Sequence, residues 1–279
     1  MPELPQMQAL AERLGDALTG KVLEGVEPLG FSALKTVVPA PESFIGRPVE
    51  RVERRAKYLI LDFGESGRIL LHLSQAGRLD LEDPPKKTRA KGSVVRLRFA
   101  DAPAVLVREY GHERKAAWWV LGPGDDGPLE RLGPEPDSDE FAELILRGVD
   151  GRRVHTLLRD QRTVSGVGRG YADDALWRAQ LSPYASLKSL DDDQRARLLD
   201  AVRGVMAEGL ERERGRTGGL SQPKLGEHFE VHARYGSPCP RCGETLRRVS
   251  YESHEVAYCP HCQTGDKVLA DRRMSRLVK

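Results

Sequence analysis

Two stretches of the 279-residue chain carry residue types that do chemistry. The first is its opening, Met1-Pro2-Glu3-Leu4-Pro5. Removal of Met1 would expose the secondary amine of Pro2 at the chain terminus. α-Amino groups titrate about two units below lysine, so this amine is nucleophilic near neutral pH and can form an iminium with an aldehyde-level carbon. Glu3 places a carboxyl beside it for proton transfer. With Met1 retained, Pro2 has an amide nitrogen and the pentapeptide is only a stiff entry into a helix. The second stretch is Cys239-Pro-Arg-Cys242 and Cys259-Pro-His-Cys262, with 16 residues between the pairs and no cysteine elsewhere. Two C-x-x-C pairs at this spacing fit four thiolates around one Zn²⁺, a closed and therefore structural site. The competing reading, disulfides or redox thiols, is disfavoured in an intracellular chain.

Two further stretches have a sharp and a plain reading each. Arg54-Arg55-Ala56-Lys57-Tyr58 interrupts an otherwise apolar run with three cations. Lys57 is either a point charge for a phosphate or part of a solvated strand face. Ser165-Gly166-Val167-Gly168-Arg169-Gly170-Tyr171 precedes a helix, whose free amides and positive dipole end suit an anion. A nucleotide-cofactor fingerprint would need a strand just upstream. A helix precedes instead, so a nucleic-acid phosphate is the better ligand, and a tight interhelical turn is the plain alternative.

The elements that must position these residues fall into two patterns. Met7, Leu10, Ala11, Leu14 and Leu18 predict an amphipathic helix over 5–19, with Pro5 in its first turn and Gly20 at its end. It would anchor the Pro2 nitrogen. From 21 to 121 the pattern is short β runs: Lys21–Val26, Val49–Phe63, Arg68–Leu73, Val94–Phe99, Ala104–Arg108 and Ala117–Leu121, implying a β-sandwich or barrel. Residues 122–140 have a Pro, Gly and acid-rich linker composition, with a boundary near Gly133–Asp137. Helices follow: one capped by Ser138, one around Val154–Leu158, one from Tyr171 to Ala179, and one capped by Asp191. Residues 212–221 are polar and aperiodic, which predicts a loop.

No run reaches the roughly 18 apolar residues of a spanning helix, and no signal segment opens the chain. The expected location is the cytoplasm. Net charge is only +2, but from His232 to Lys279 nine Lys/Arg face five Asp/Glu. Positive charge is thus gathered at the end of the chain, where it could meet phosphates. A zinc ion with four thiolates would offset half of that excess.

Taken in order, Pro-Glu-Leu-Pro at the start, Arg-Arg-Ala-Lys-Tyr, Leu-Gly-Pro-Glu-Pro at the boundary, Gly-Val-Gly before a helix and a terminal four-cysteine finger resemble one family. It is the formamidopyrimidine-DNA glycosylase and endonuclease VIII family of bacterial base-excision repair. The resemblance spans essentially the whole chain. It implies an α+β multidomain fold: an N-terminal helix plus β-sandwich (1–133), a helix-two-turn-helix domain (134–225) and a zinc finger with a basic tail (226–279). It also implies a monomer acting on double-stranded DNA with a damaged base or abasic site, near the nucleoid. Pro2 would be the nucleophile at the sugar C1′, Glu3 the proton carrier and Lys57 a phosphate contact near the reacting sugar.

The same resemblance exposes departures. Gln6 stands where the family usually has glutamate, so an acid-base role there is lost. Arg169 replaces the asparagine after Gly-Val-Gly, and His254 replaces the arginine at the finger tip. Gln75 occupies the methionine position, and Arg114 and Lys115 the arginine and phenylalanine positions, among the side chains that fill the hole left by a flipped base. These changes put a preference for 8-oxoguanine in doubt. They motivate alternatives: a damaged-DNA binder without glycosylase chemistry, or a lyase restricted to abasic sites or unusual adducts. An RNA-binding zinc ribbon would leave the N-terminus unexplained.

Overall fold

The computed structural model describes residues 2–111, 115–216, 228–251 and 254–270, with only the backbone of Tyr251 and His254. The chain forms two compact units, Met1–Arg131 with Leu210–Leu225, and Leu132–Gly209 with Gly226–Lys279.

The first unit opens with α1 (Leu4–Leu18). Its buried stripe of Met7, Leu10, Ala11, Leu14 and Leu18 joins one core with Leu59, Leu61, Ile69, Leu71, Val95, Leu97, Val105 and Trp118. Those partners come from both layers of an antiparallel sandwich. One sheet is ordered β2-β3-β4-β8: β2 (Arg51–Arg55), β3 (Tyr58–Asp62), β4 (Arg68–His72) and β8 (Ala117–Leu121). The other is ordered β1-β6-β7-β5: β1 (Leu23–Pro28), β6 (Ser93–Phe99), β7 (Ala104–Glu109) and β5 (Gly77–Glu82). The period-2 alternation of strands sends Leu59 and Leu61 inward, while Ile60 packs outward on Leu70 and Leu121.

One local expectation changes. The run Val49–Phe63 is a hairpin, β2 and β3, turned at Ala56-Lys57 with Ala56 at φ 51°. The segment after Glu82 is held down by arginines of β6. Arg96 donates to Glu82 (2.8 Å), Glu27 (2.8 Å) and the Thr88 carbonyl (2.7 Å), and Arg98 donates to the Lys86 carbonyl (2.9 Å).

The second unit holds α2 (Asp139–Arg147), α3 (Val154–Arg159), α4 (Arg169–Arg178) and most of α5 (Asp192–Arg214). Ser138 caps α2, its hydroxyl accepting from Phe141 N at 3.2 Å. Asp191 and Gln194 bond reciprocally at the start of α5, a capping box. α5 continues to Arg214, three residues into the stretch read as loop; 217–221 lie outside the described residues. The finger adds β9 (Arg247–Tyr251), β10 (His254–Tyr258) and the short α6 (Pro260–Thr264).

In this unit the finger is built onto α4. Asp173 is fully buried, accepts from Ala257 N (3.3 Å) and faces His155 Nε2 (3.0 Å) and His232 Nδ1 (2.6 Å). Although burial opposes its charge, the two imidazoles hold its carboxyl below the usual carboxylate range. Neighbouring Asp174 accepts the backbone N–H groups of Glu230 (2.7 Å), Val231 (3.0 Å) and His232 (3.2 Å). There burial dominates and pushes the carboxyl up to about 6.

Candidate active site and metal centre

In the first unit the candidate residues hang from one end of one sheet. The pairs Arg55↔Tyr58, Tyr58↔His72 and His72↔Ala117 form its terminal row. Beyond that row lie the Ala56-Lys57 turn, the 73–76 connection carrying Gln75, and Lys115 on the approach to β8. α1 lies alongside β2: Gly15 is beside Val52, and Gln8 accepts from Arg54 Nε at 3.0 Å. The helix therefore runs antiparallel to β2, and its head points toward the same end of the sheet.

At that head Pro2 and Glu3 are both buried, Glu3 only 6% exposed. Glu3 is the N-cap residue of α1 and closes a capping box with Gln6. Glu3 N–H donates to Gln6 Oε1 at 3.0 Å. The carboxyl is thus fixed next to the chain terminus rather than left on a loose tail. Gln6 is itself 8% exposed and donates from Nε2 to Glu213 Oε1 at 3.3 Å.

Lys57 is 4% exposed, so it belongs to no solvated strand face. Its neighbour His72 was missed by sequence reasoning. Burial, reinforced by the Lys57 charge, pushes the His72 imidazole down to about 4. Tyr58 covers it, ring centroids 4.8 Å apart. A neutral imidazole beside an ammonium gives one cation and one uncharged hydrogen-bonding group, a pair suited to a phosphate diester. The only sequence signal for His72 was a polar residue closing an apolar strand.

Gln75 is exposed on a connection so tight that a Cβ on Gly77 would fall 2.1 Å from the Leu73 carbonyl oxygen. Lys115 is exposed, and its backbone N–H donates to Glu109 Oε1 at 2.8 Å. Arg114 lies outside the described residues.

In the second unit Arg169 is exposed as the first residue of α4, with Gly168 at the N-cap. Not all the glycines there serve an outside ligand: a Cβ on Gly170 would meet the Phe229 ring at 2.2 Å, so it is needed for internal packing. His254 opens β10 opposite Tyr251 at the turn of the finger hairpin; its side chain lies outside what is described. No disulfide joins the four cysteines, and their Sγ atoms lie within 4.8 Å of one another. Cys239 and Cys262 Sγ are 4.0 Å apart, Cys242 and Cys259 3.5 Å. A tetrahedron with metal–sulfur bonds of about 2.3 Å has sulfur–sulfur edges of about 3.8 Å, so these residues fit one structural Zn²⁺. Trp177 of α4 donates its indole N–H to Cys239 Sγ at 3.3 Å, and Arg241 lies over the Trp177 ring.

A sandwich with a buried Pro2-Glu3 pair at the head of its helix, and a helical unit bearing a four-cysteine finger, together have the build of a nucleic-acid-processing protein. Comparison with known proteins sharpens that class. Residues 1–110 match the formamidopyrimidine-DNA glycosylase N-terminal domain, 132–220 the H2TH domain of the same enzymes, and 236–265 the zinc finger found in FPG and IleRS. A formamidopyrimidine-DNA glycosylase of Roseiflexus sp. is 33% identical over 283 residues, covering 94% of this chain and 100% of that protein. An uncharacterized formamidopyrimidine-DNA glycosylase-like protein of Mycobacterium tuberculosis is 40% identical over 151 residues, covering 53% of this chain and 94% of its own. The crystal structure of a MutM (Fpg) protein from Thermus thermophilus superposes with a TM-score of 0.81 at 29% identity, covering 96% of this chain and 100% of that one. A MutM bound to DNA containing carbocyclic 8-oxo-G shares the fold, with a TM-score of 0.82 at 22% identity over 94% of this chain and 100% of that one.

This chain belongs to the formamidopyrimidine-DNA glycosylase family, whose members are DNA glycosylases with lyase activity at abasic sites. Among the described residues no helix is long and apolar enough to cross a membrane.

Proposed function

We propose that the chain excises a damaged base from double-stranded DNA through Pro2 and then cleaves the strand. The observation that carries this is the buried Pro2-Glu3 pair held at the head of α1 by the capping box. With Met1 removed, the Pro2 nitrogen adds to the sugar C1′, the bond from C1′ to the base breaks, and the N–H proton that Pro2 loses passes by way of Glu3 to the departing base. Glu3 delivers the proton that opens the sugar ring, leaving an iminium. The iminium acidifies the neighbouring C–H, and successive eliminations release the phosphates on the two sides of the sugar. Water then hydrolyses the iminium and frees Pro2. The positive end of the α1 dipole disfavours a second positive charge nearby, which favours the free amine. Lys57 and His72 hold a phosphate next to the reacting sugar. Extrusion of the target base costs a few kcal/mol, least for a damaged or mispaired one.

The remaining assignments belong to this reading. Arg169 and His254 contact the DNA backbone, and Gln75, Arg114 and Lys115 occupy the space of the extruded base. A polar Gln75 and a cationic Lys115 suit a lesion other than the one served by apolar wedges. The working modules are 1–133, 134–225 and 226–279, on a monomer acting in the cytoplasm at the nucleoid. The four cysteines and their Zn²⁺ hold the finger's shape and take no part in the steps.

Borohydride trapping on duplexes carrying an abasic site, a ring-opened purine, 8-oxoguanine or an oxidised pyrimidine tests the proposal. The wild type should yield a covalent adduct on at least one of them. Pro2→Gly combined with Glu3→Gln should abolish it. No adduct from wild type whose N-terminal proline is verified by mass spectrometry refutes the glycosylase-lyase reading.

A further inference from the structure

Gln6 departs from the family's usual glutamate, yet it is not idle. Its amide has one accepting and one donating end. The accepting Oε1 takes the Glu3 N–H at 3.0 Å, and the donating Nε2 gives to Glu213 Oε1 at 3.3 Å. Glu213 is 6% exposed and sits 207 residues away in sequence, in the last turn of α5. An amide can flip end for end, and a flipped Gln6 would turn an N–H toward the Glu3 N–H. A carboxylate at 213 accepts only, so it fixes which end of Gln6 faces Glu3.

We infer that Glu213 is a positioning residue for the active site: it orients Gln6, and Gln6 holds Glu3 and, with it, the chain terminus. The inference rests on the Pro2–Glu3 reading above and extends it to a residue at the far end of the chain. The groups around Glu213 are arranged for this. Arg216 Nη1 donates to Glu213 Oε1 and Oε2 at 3.1 and 3.2 Å, which fixes the direction in which the carboxyl points. Arg13 of α1 donates to the carbonyls of Glu213 and Arg216, and Arg214 pairs with Glu12 of α1 at 2.6 Å. The last turn of α5 is thereby pinned to the helix that carries the nucleophile. Gln6 and Glu213 are also a matched set. A glutamate at 6 would set two carboxyls 3.3 Å apart unless a proton lay between them.

That complementarity gives the test. Trapping rate, and kcat and KM on an abasic duplex, are measured from pH 5 to 8.5 for wild type, Gln6→Glu, Glu213→Gln and the double variant. Gln6→Glu should lower kcat about ten- to a hundredfold at pH 8 with little change in KM, a small misplacement being enough for such a loss. Activity should recover toward low pH as the two carboxyls share a proton. Glu213→Gln should lose several-fold with no new pH dependence. The swap, Gln6→Glu with Glu213→Gln, restores one donor and one acceptor and should recover most of the wild-type rate at pH 8. A swap no better than Gln6→Glu alone, with all variants folded by circular dichroism, overturns the inference. So does a Gln6→Glu profile parallel to wild type. Absence of trapping by the wild type would instead count against the glycosylase-lyase reading itself.

Discussion

His72 faces Tyr58 across the β3–β4 ladder, one residue beyond the Lys57 turn, and the ammonium of Lys57 adds to burial in keeping its imidazole uncharged. Its folded pKa, about 4, lies below the ordinary 6.5, so the folded chain binds fewer protons here than the unfolded one. The resulting contribution to stability is fully present above pH 6.5 and is lost as pH falls toward 4. Urea unfolding of wild type and His72→Asn at pH 7.5, 5.5 and 4.5 should show the wild type losing more stability on acidification. Parallel loss in both proteins would show that His72 is not the group responsible.

Lys57→Gln should have two separable effects. Removing the charge should raise the His72 pKa, read by NMR titration of the imidazole. It should also weaken binding of duplex DNA and flatten its dependence on salt, the signature of one fewer phosphate contact. Gain of the first effect without the second would leave Lys57 as a neighbour of His72 and no more.

Arg96 is 1% exposed and carries buried Glu82 and half-buried Glu27 on one guanidinium. Removing one partner of a buried pair costs about 3–5 kcal/mol. Arg96→Ala should therefore lose about that much stability in denaturant unfolding, whereas Arg51→Ala, on the exposed partner of Asp62, should lose under about 1 kcal/mol. Equal losses would contradict the burial argument.

Zinc removal should abolish DNA binding while the sandwich of the first unit stays folded, followed by a DNA gel shift and by near-UV signals from Trp118 and Trp119. Trp177→Phe keeps the ring but deletes the N–H bonded to Cys239 Sγ. Loss of such a supporting bond weakens metal affinity about 10- to 100-fold, so competition with a chromogenic chelator should show faster zinc release. An unchanged release rate would make Trp177 a packing residue only.

Legibility in the sequence followed how local each signal was. α1 was readable because five apolar residues recur at helical spacing between Pro5 and Gly20. Ser138 and Asp191 announced their helices by capping chemistry confined to three or four residues. The cysteine spacing declared the metal site outright. The hairpin at Ala56-Lys57 was hidden because its turn has neither glycine nor asparagine, and Ala56 takes a positive φ without advertising it. β5 was hidden because Arg78, Asp80 and Glu82 dilute its alternation. His72 acquires its character only from a strand across the sheet. Gln6 could be singled out in the sequence, but its partner Glu213 is supplied by the far end of the chain.

Asp173 and Asp174 join α4 to two separate stretches of the finger module, 230–232 and Ala257, while Asp173 also faces His155 of α3. The finger is therefore not a portable cassette. A hybrid that borrows a finger from a relative must import the matching α4 along with it.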